Sequence, residues 1–108
     1  MRRTMLKSKL HRVPVTQCDL NYNGSITIDR DWCKKADLRE FEQVDVYNCN
    51  NGERFTTYVI FGGKNQICIN GAAARLAQPG DLVIVASYAS YEDEECKDQK
   101  PTVIAFKK

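Results

Sequence analysis

One histidine, His11, is all that 108 residues contain, and none of the five cysteines stands in a Cys-x-x-Cys pair. Cys18, Cys33, Cys49, Cys68 and Cys96 are spread unevenly, so a zinc site would draw its ligands from distant segments, and no metal is expected. The odd cysteine count fits poorly with a complete internal disulfide framework. Free thiols in a reducing compartment, several of them serving as small buried hydrophobes, are the simpler expectation. Charge of one sign is not in excess: 16 Lys and Arg stand against 14 Asp and Glu, a net +2, too little to argue for nucleic acid. No apolar run approaches a membrane span. Arg2 and Arg3 lead into a mixed segment rather than an apolar one, so no secretory signal is expected and the expected location is cytoplasmic. The glycine-rich phosphate loops Gly-x-Gly-x-x-Gly and Gly-x-x-x-x-Gly-Lys are both missing.

Short strands dominate what is present. Ser25-Ile26-Thr27-Ile28, Val44-Asp45-Val46-Tyr47 and Thr57-Tyr58-Val59-Ile60 alternate wholly or in part. Ile67-Cys68-Ile69 and Leu82-Val83-Ile84-Val85-Ala86 read as buried strands, and Val103-Ile104-Ala105-Phe106 as a last one. Asn50-Asn51-Gly52, Gly62-Gly63 and Gln78-Pro79-Gly80-Asp81 punctuate them, the first as a hairpin turn. Asp29 or Asp31 can cap a short helix over 32–36, and 72–76 can form another. Neither is long enough for a Rossmann-type crossover. The expectation is an all-β single domain over 1–108, a small closed barrel with short helices. The charged stretch after Tyr91 is expected to be loose until the last strand. Arg2, Arg3, Lys7, Lys9 and Arg12 read as a solvated face, without the interleaved aromatics of a nucleic-acid stripe. So small a barrel leaves little room inside, which places a site at its rim or between copies.

Tyr22-Asn23-Gly24-Ser25 is the segment that suggests chemistry. On its own it is a turn, with Asn23-Gly24 supplying left-handed backbone angles. The same residues suit self-cleavage. The Ser25 hydroxyl would attack the Gly24 carbonyl, which no side chain shields, and a strained turn would favour the attack. An ester then replaces the peptide bond. Loss of the serine α-proton expels the ester oxygen, and hydrolysis of the resulting dehydroalanine releases ammonia and leaves a pyruvoyl group. Such a ketone is an electron sink for decarboxylating an amino acid, the task otherwise done by pyridoxal phosphate.

Groups that a dicarboxylic amino acid needs occur elsewhere in the chain. Arg54 can clamp a carboxylate with two parallel hydrogen bonds, and Lys9 can hold a second one. Tyr58 offers a phenolic proton, Thr57 can polarise the scissile carbonyl, and His11 is the single imidazole. Asn70, with the backbone amides of Gly71 and Ala72, can pocket an oxygen. Singly, each has a plainer explanation: a paired surface arginine, a tyrosine capping the barrel, a structural histidine, a turn at Asn70-Gly71. Their conjunction is what argues for an enzyme.

That conjunction is ordered. Met5-Leu6-Lys7-Ser8-Lys9-Leu10-His11-Arg12 is followed by Asn21-Tyr22-Asn23-Gly24-Ser25-Ile26-Thr27-Ile28-Asp29, then by Asn51-Gly52-Glu53-Arg54-Phe55-Thr56-Thr57-Tyr58. Ile69-Asn70-Gly71-Ala72-Ala73-Ala74-Arg75, Pro79-Gly80-Asp81-Leu82-Val83-Ile84 and Ala86-Ser87-Tyr88 complete the series. Over nearly its whole length the chain resembles the proenzymes of the pyruvoyl-dependent aspartate 1-decarboxylase family. The resemblance implies a double-psi β-barrel and a homotetramer with active sites between neighbouring subunits. It implies cleavage into a β chain, 1–24, and an α chain, 25–108, that begins with a covalent pyruvoyl group derived from Ser25, with no PLP and no metal. The implied reaction converts L-aspartate to β-alanine and carbon dioxide for pantothenate synthesis. By the same match Lys9 and Arg54 bind substrate carboxylates, Tyr58 reprotonates the decarboxylated carbon and Thr57 supports processing. Tyr22 and His11 line the site, and Asn70, Gly71, Ala72 and Ala73 form its remaining wall. Tyr47 stands where some relatives carry tryptophan. Some relatives use an accessory acetyltransferase-like protein for cleavage, and both possibilities stay open for this chain. No nucleic-acid or membrane partner is implied. Two rival readings are a non-catalytic barrel that binds nucleic acid or protein through its basic start, and a decarboxylase for another amino acid. Lys9 together with Arg54 favours a substrate with two carboxylates.

Overall fold

The computed structural model describes residues 1–106. Its strands are β1 (Arg2–Pro14), β2 (Gln17–Asp19), β3 (Ser25–Asp29), β4 (Gln43–Asn48), β5 (Arg54–Gly62), β6 (Ile67–Asn70), β7 (Leu82–Glu92) and β8 (Thr102–Ala105). Two short helices, α1 (Arg30–Lys35) and α2 (Asp93–Cys96), and a 3-10 turn over Gly71–Leu76 join them. All eight strands hydrogen-bond in the order β2-β6-β3-β5-β4-β7-β1-β8. Strand β3 runs parallel to β5 and antiparallel to β6, with Ile26 opposite Val59 on one side and Ile69 on the other. The core is filled by small branched residues from both halves of the order, among them Val13, Ile26, Val44, Val59, Ile69 and Val85. This is an all-β fold, a small double-psi β-barrel.

Local chemistry sets the element ends. At Asn50-Asn51-Gly52 the chain reverses with Gly52 at φ +79°, and the Gly52 N–H donates to the Asn48 carbonyl at 2.9 Å. This hairpin pairs Tyr47 with Arg54 and Gln43 with Tyr58. Gly80, at φ +96°, closes the turn before β7. Asp29 caps α1: its Oδ1 accepts from the Asp31 N–H at 2.8 Å, while Oδ2 accepts from the Asn65 N–H at 2.7 Å.

Two expectations need correction and one needs refinement. The basic start is exposed at Arg2 and Arg3, as a solvated face is, but it is also a long paired strand. Pairing of β1 with β7 puts Arg2 opposite Glu92, and Arg2 and Arg3 bond Glu92 and Asp93, each at 2.6 Å. Lys7 bonds Glu42 at 2.9 Å. Arg2 and Arg3 of the early basic cluster are therefore matched by the start of the late acidic run, although each exposed pair contributes little to stability. The stretch after Tyr91 is ordered too. Glu92 and Glu95 form a reciprocal capping box at α2. The alanine-rich segment is a 3-10 turn, and its Asn70 makes no side-chain cap. All five cysteines are free, and only Cys33 and Cys68 are buried. Among the described residues no helix is long and apolar enough to cross a membrane.

The double role of Asp29 generates a stability prediction. Asp29→Ala removes acceptors from both α1 and the loop before β6. A cap and one further buried bond together are worth about 2 kcal/mol. The melting temperature should fall by several degrees, and Asp29→Asn, which keeps one acceptor, should lose about half as much. Equal melting curves for wild type and Asp29→Ala would show that the cap carries no such weight.

Candidate active site

Strand period places the reactive serine. Ile26 and Ile28 turn into the core, so Ser25 and Thr27 share the opposite face. Across the antiparallel pair, Ser25 faces Asn70 and Thr27 faces Cys68. Ser25 is 1 % exposed although Gly24 beside it is exposed. The Ser25 hydroxyl donates to the Asn23 carbonyl at 3.0 Å and accepts from Asn70 Nδ2 at 2.9 Å. Asn70 Nδ2 also donates to Thr27 Oγ1 at 3.0 Å. The parallel register that sets Ile26 opposite Val59 brings Tyr58 level with Ser25 on the neighbouring strand. Tyr58 remains 37 % exposed, its ring 6.5 Å from that of Phe41. Tyr22, Thr27, Cys68 and Asn70 line part of a groove of about 300 Å³ on this side.

Left-handed backbone freedom is used at Gly71, not at Gly24. Gly71 has φ +74°, whereas Gly24 is not among the residues at positive φ. A Cβ on Gly71 would lie 2.7 Å from the Gly24 Cα and 3.2 Å from the Tyr22 carbonyl oxygen. A Cβ on Gly24 would meet nothing within 4 Å. Thus Gly24 leaves its carbonyl unshielded, while Gly71 permits the close approach that seats the 22–24 turn. Gly71 forms the floor under that turn. Ala72 is exposed, and Ala73 packs against the core. Thr57 pairs with Val44, whose side chain is in the core. Among the described residues its hydroxyl makes no hydrogen bond to the Gly24–Ser25 turn.

The cationic residues lie elsewhere in the chain. Arg54 stacks on the Tyr47 ring, with its guanidinium carbon 4.1 Å from the ring centroid. The Tyr47 hydroxyl meets that of Tyr88 at 2.9 Å. This bond, then burial, pushes the Tyr47 phenol up to about 12, so it remains protonated. Lys9 pairs with Ala86, which pairs with Asp45 of β4, so Lys9 lies on the β1–β7–β4–β5 side. Neither Lys9 nor Arg54 has a carboxylate partner among the described residues. His11 is half-buried, and its Nδ1 is buried with no partner among the described residues. Arg54 precedes Tyr58 by four residues on β5, roughly 13 Å along the strand. One chain therefore holds Ser25 in contact with Asn70 and level with Tyr58, whereas Lys9 on β1 lies three strands from Arg54 on β5, with β7 and β4 between them.

A family model described as aspartate decarboxylase matches residues 1–108. The chain belongs to the aspartate decarboxylase family. Aspartate 1-decarboxylase of Methylobacillus flagellatus is 56% identical over 106 residues, covering 96% of this chain and 84% of the relative. The protein of the same name from Cupriavidus taiwanensis is also 56% identical, covering 96% and 88%. That from Syntrophus aciditrophicus is 57% identical, covering 96% and 91%. In this family member, reading the motifs singly misses Thr27 and Cys68. Their signal was the alternation itself, since each stands two residues from Ser25 or Asn70 and so shares its face.

Gly71 carries the prediction from this geometry. Gly71→Ala adds left-handed strain of about 1–3 kcal/mol and a contact on Gly24. Splitting of the chain at Gly24–Ser25, followed on denaturing gels, should slow about 10- to 100-fold. A Gly71→Ala chain that splits at the wild-type rate would mean that the contact yields without moving Gly24.

Proposed function

We propose that this chain is a self-processing aspartate 1-decarboxylase that converts L-aspartate to β-alanine and carbon dioxide for pantothenate synthesis. The observation that carries the reading is Ser25, buried and held between the Asn23 carbonyl and the Asn70 amide beside an exposed, unhindered Gly24. Ser25 Oγ attacks the Gly24 carbonyl. After elimination and hydrolysis, chains 1–24 and 25–108 result, the second beginning with a pyruvoyl group. The residues fit that group: Ser25 lies at the start of a strand, with Asn70 on one side and Tyr58 level with it on the other. The ketone supplies an electron sink for decarboxylation. Tyr58 returns the proton to carbon. Arg54 and Lys9 hold the two carboxylates, while Tyr22, His11, Asn70, Gly71, Ala72 and Ala73 border the substrate. Thr57, within strand β5 and next to Tyr58, supports processing.

The spread of the candidate residues supports a homotetramer with each site built between neighbouring subunits. Arg54 lies about 13 Å along β5 from Tyr58, and Lys9 lies three strands from Arg54. Neighbouring copies that present Lys9 and Arg54 to the Ser25 groove would gather them on one aspartate.

The basic test is an intact mass spectrum with a β-alanine assay. Wild type should give two fragments and activity, and Ser25→Ala one unbroken, inactive chain. Tyr58→Phe separates making the cofactor from using it. It should carry full pyruvoyl content yet form β-alanine about 100- to 10,000-fold more slowly. Unchanged turnover at full pyruvoyl content would remove Tyr58 as proton donor.

Co-expression tests the shared site. Ser25→Ala and Arg54→Ala chains are each inactive alone. In mixed assemblies about a quarter of the sites combine an intact Ser25 with an intact Arg54 from the other chain. Activity should return to that extent. No recovery from demonstrably mixed tetramers would place both residues in one subunit's site.

A further inference from the structure

Cys68 is buried opposite Thr27, on the face that Ser25 and Asn70 share. Its position follows from the direction of the hydrogen bonds around Asn70. Ser25 donates its one hydroxyl proton to the Asn23 carbonyl, so toward Asn70 it can only accept. The Asn70 amino group must face Ser25, and its second N–H reaches Thr27 Oγ1 at 3.0 Å. The amide oxygen is then turned toward Cys68, whose Sγ lies 3.1 Å away and donates to it. Burial first, then Asp19 and Cys18, pushes the Cys68 thiol up, so it keeps the proton that this bond requires. With the amide reversed, its oxygen would face the two hydroxyls and its amino group the thiol.

We propose that Cys68 is a positioning residue for self-cleavage, its S–H fixing the Asn70 amide so that an N–H stays on Ser25 Oγ. This rests on cleavage at Gly24–Ser25. In the first step the Ser25 Oγ–Gly24 carbon bond forms, the Gly24 carbon–nitrogen bond breaks, and the hydroxyl proton passes to the released nitrogen. In the second, a base takes the Ser25 α-proton, the carbon–hydrogen electrons form the new double bond, and the Cβ–Oγ pair leaves with oxygen as the Gly24 carboxylate. The N–H on Oγ stabilises the charge that grows there. A reversed amide would set a carbonyl oxygen against it.

The experiment uses full chains made by cell-free translation and sampled over time by intact mass spectrometry. Hydroxylamine trapping distinguishes the ester from the unbroken chain, which has the same mass. Wild type, Cys68→Ser, Cys68→Ala, Cys68→Val and Ser25→Ala are compared. Serine and alanine leave the same space and differ by one hydroxyl. Cys68→Ser should split within about 3-fold of wild type, and Cys68→Ala about 10-fold more slowly with trapped ester accumulating. Cys68→Val, which refills the space without a donor, should match Cys68→Ala. Melting of the same substitutions in a Ser25→Ala background reports folding independently of cleavage. Equal splitting rates for Cys68→Ser and Cys68→Ala, or a wild-type rate for Cys68→Val, overturn the positioning role. Wild type that never splits, or Ser25→Ala that does, overturns instead the self-processing on which it rests.

Discussion

The register of β3 between β5 and β6 is the constraint on which the candidate site depends. A slip of one residue would turn Ser25 into the core and Ile26 out of it. Ile26 and Ile28 are fully buried. Burying each is worth about 1.5–3 kcal/mol, against about 1 kcal/mol for a typical net hydrogen bond. The isoleucines therefore set the register, and the contacts of Ser25 and Thr27 follow from it. Packing that has no chemistry of its own thus decides which side chain faces Asn70.

Asn70 shows what that placement forgoes. It precedes the 3-10 turn, where an asparagine side chain ordinarily accepts from a free backbone N–H. Here it caps nothing, because its amino group is committed to Ser25 and Thr27 and its oxygen to Cys68. A local stabilisation of order 1 kcal/mol is given up for a fixed amide. Gly71, the next residue, brings the turn's backbone against Gly24. Two consecutive residues thus address the hydroxyl and the backbone of the same pair.

Much of this fold was legible where turn chemistry and alternation agree. The Asn50-Asn51-Gly52 hairpin, strand β3 and the Asp29 cap stand as the residue types require. Strand β1 was not legible. Its exposed face carries charges that look solvated until Glu92 and Asp93, about ninety residues away, are brought opposite them. The conformation of Gly24 was also misread, because asparagine-glycine usually signals a left-handed turn and the close approach of Gly71 is a tertiary fact. At the site, residue types nominated Ser25, Tyr58 and Arg54, but motifs could not reveal that Arg54 points to another part of the chain's surface. Thr57 was nominated too, and its pairing with Val44 sets it beside the core.

The pairing of charges bears on what Lys9 and Arg54 are for. Arg2, Arg3 and Lys7 are each matched by a carboxylate, so the fold can pair its cations. Asp45 lies across the sheet from Lys9, two strands away, and no ion pair joins them among the described residues. Asp45 is engaged instead by neutral hydroxyls: Thr56 Oγ1 donates to it at 2.7 Å and Tyr47 lies at 3.4 Å. Arg54 rests on the face of Tyr47, an interaction that steadies the guanidinium while leaving its N–H fork unspent. Lys9 and Arg54, three strands apart in one copy, each lack a carboxylate partner among the described residues. In the proposed site between copies, one dicarboxylate would supply both of them with what Asp45 does not. A monocarboxylate there would leave one cation desolvated without a partner.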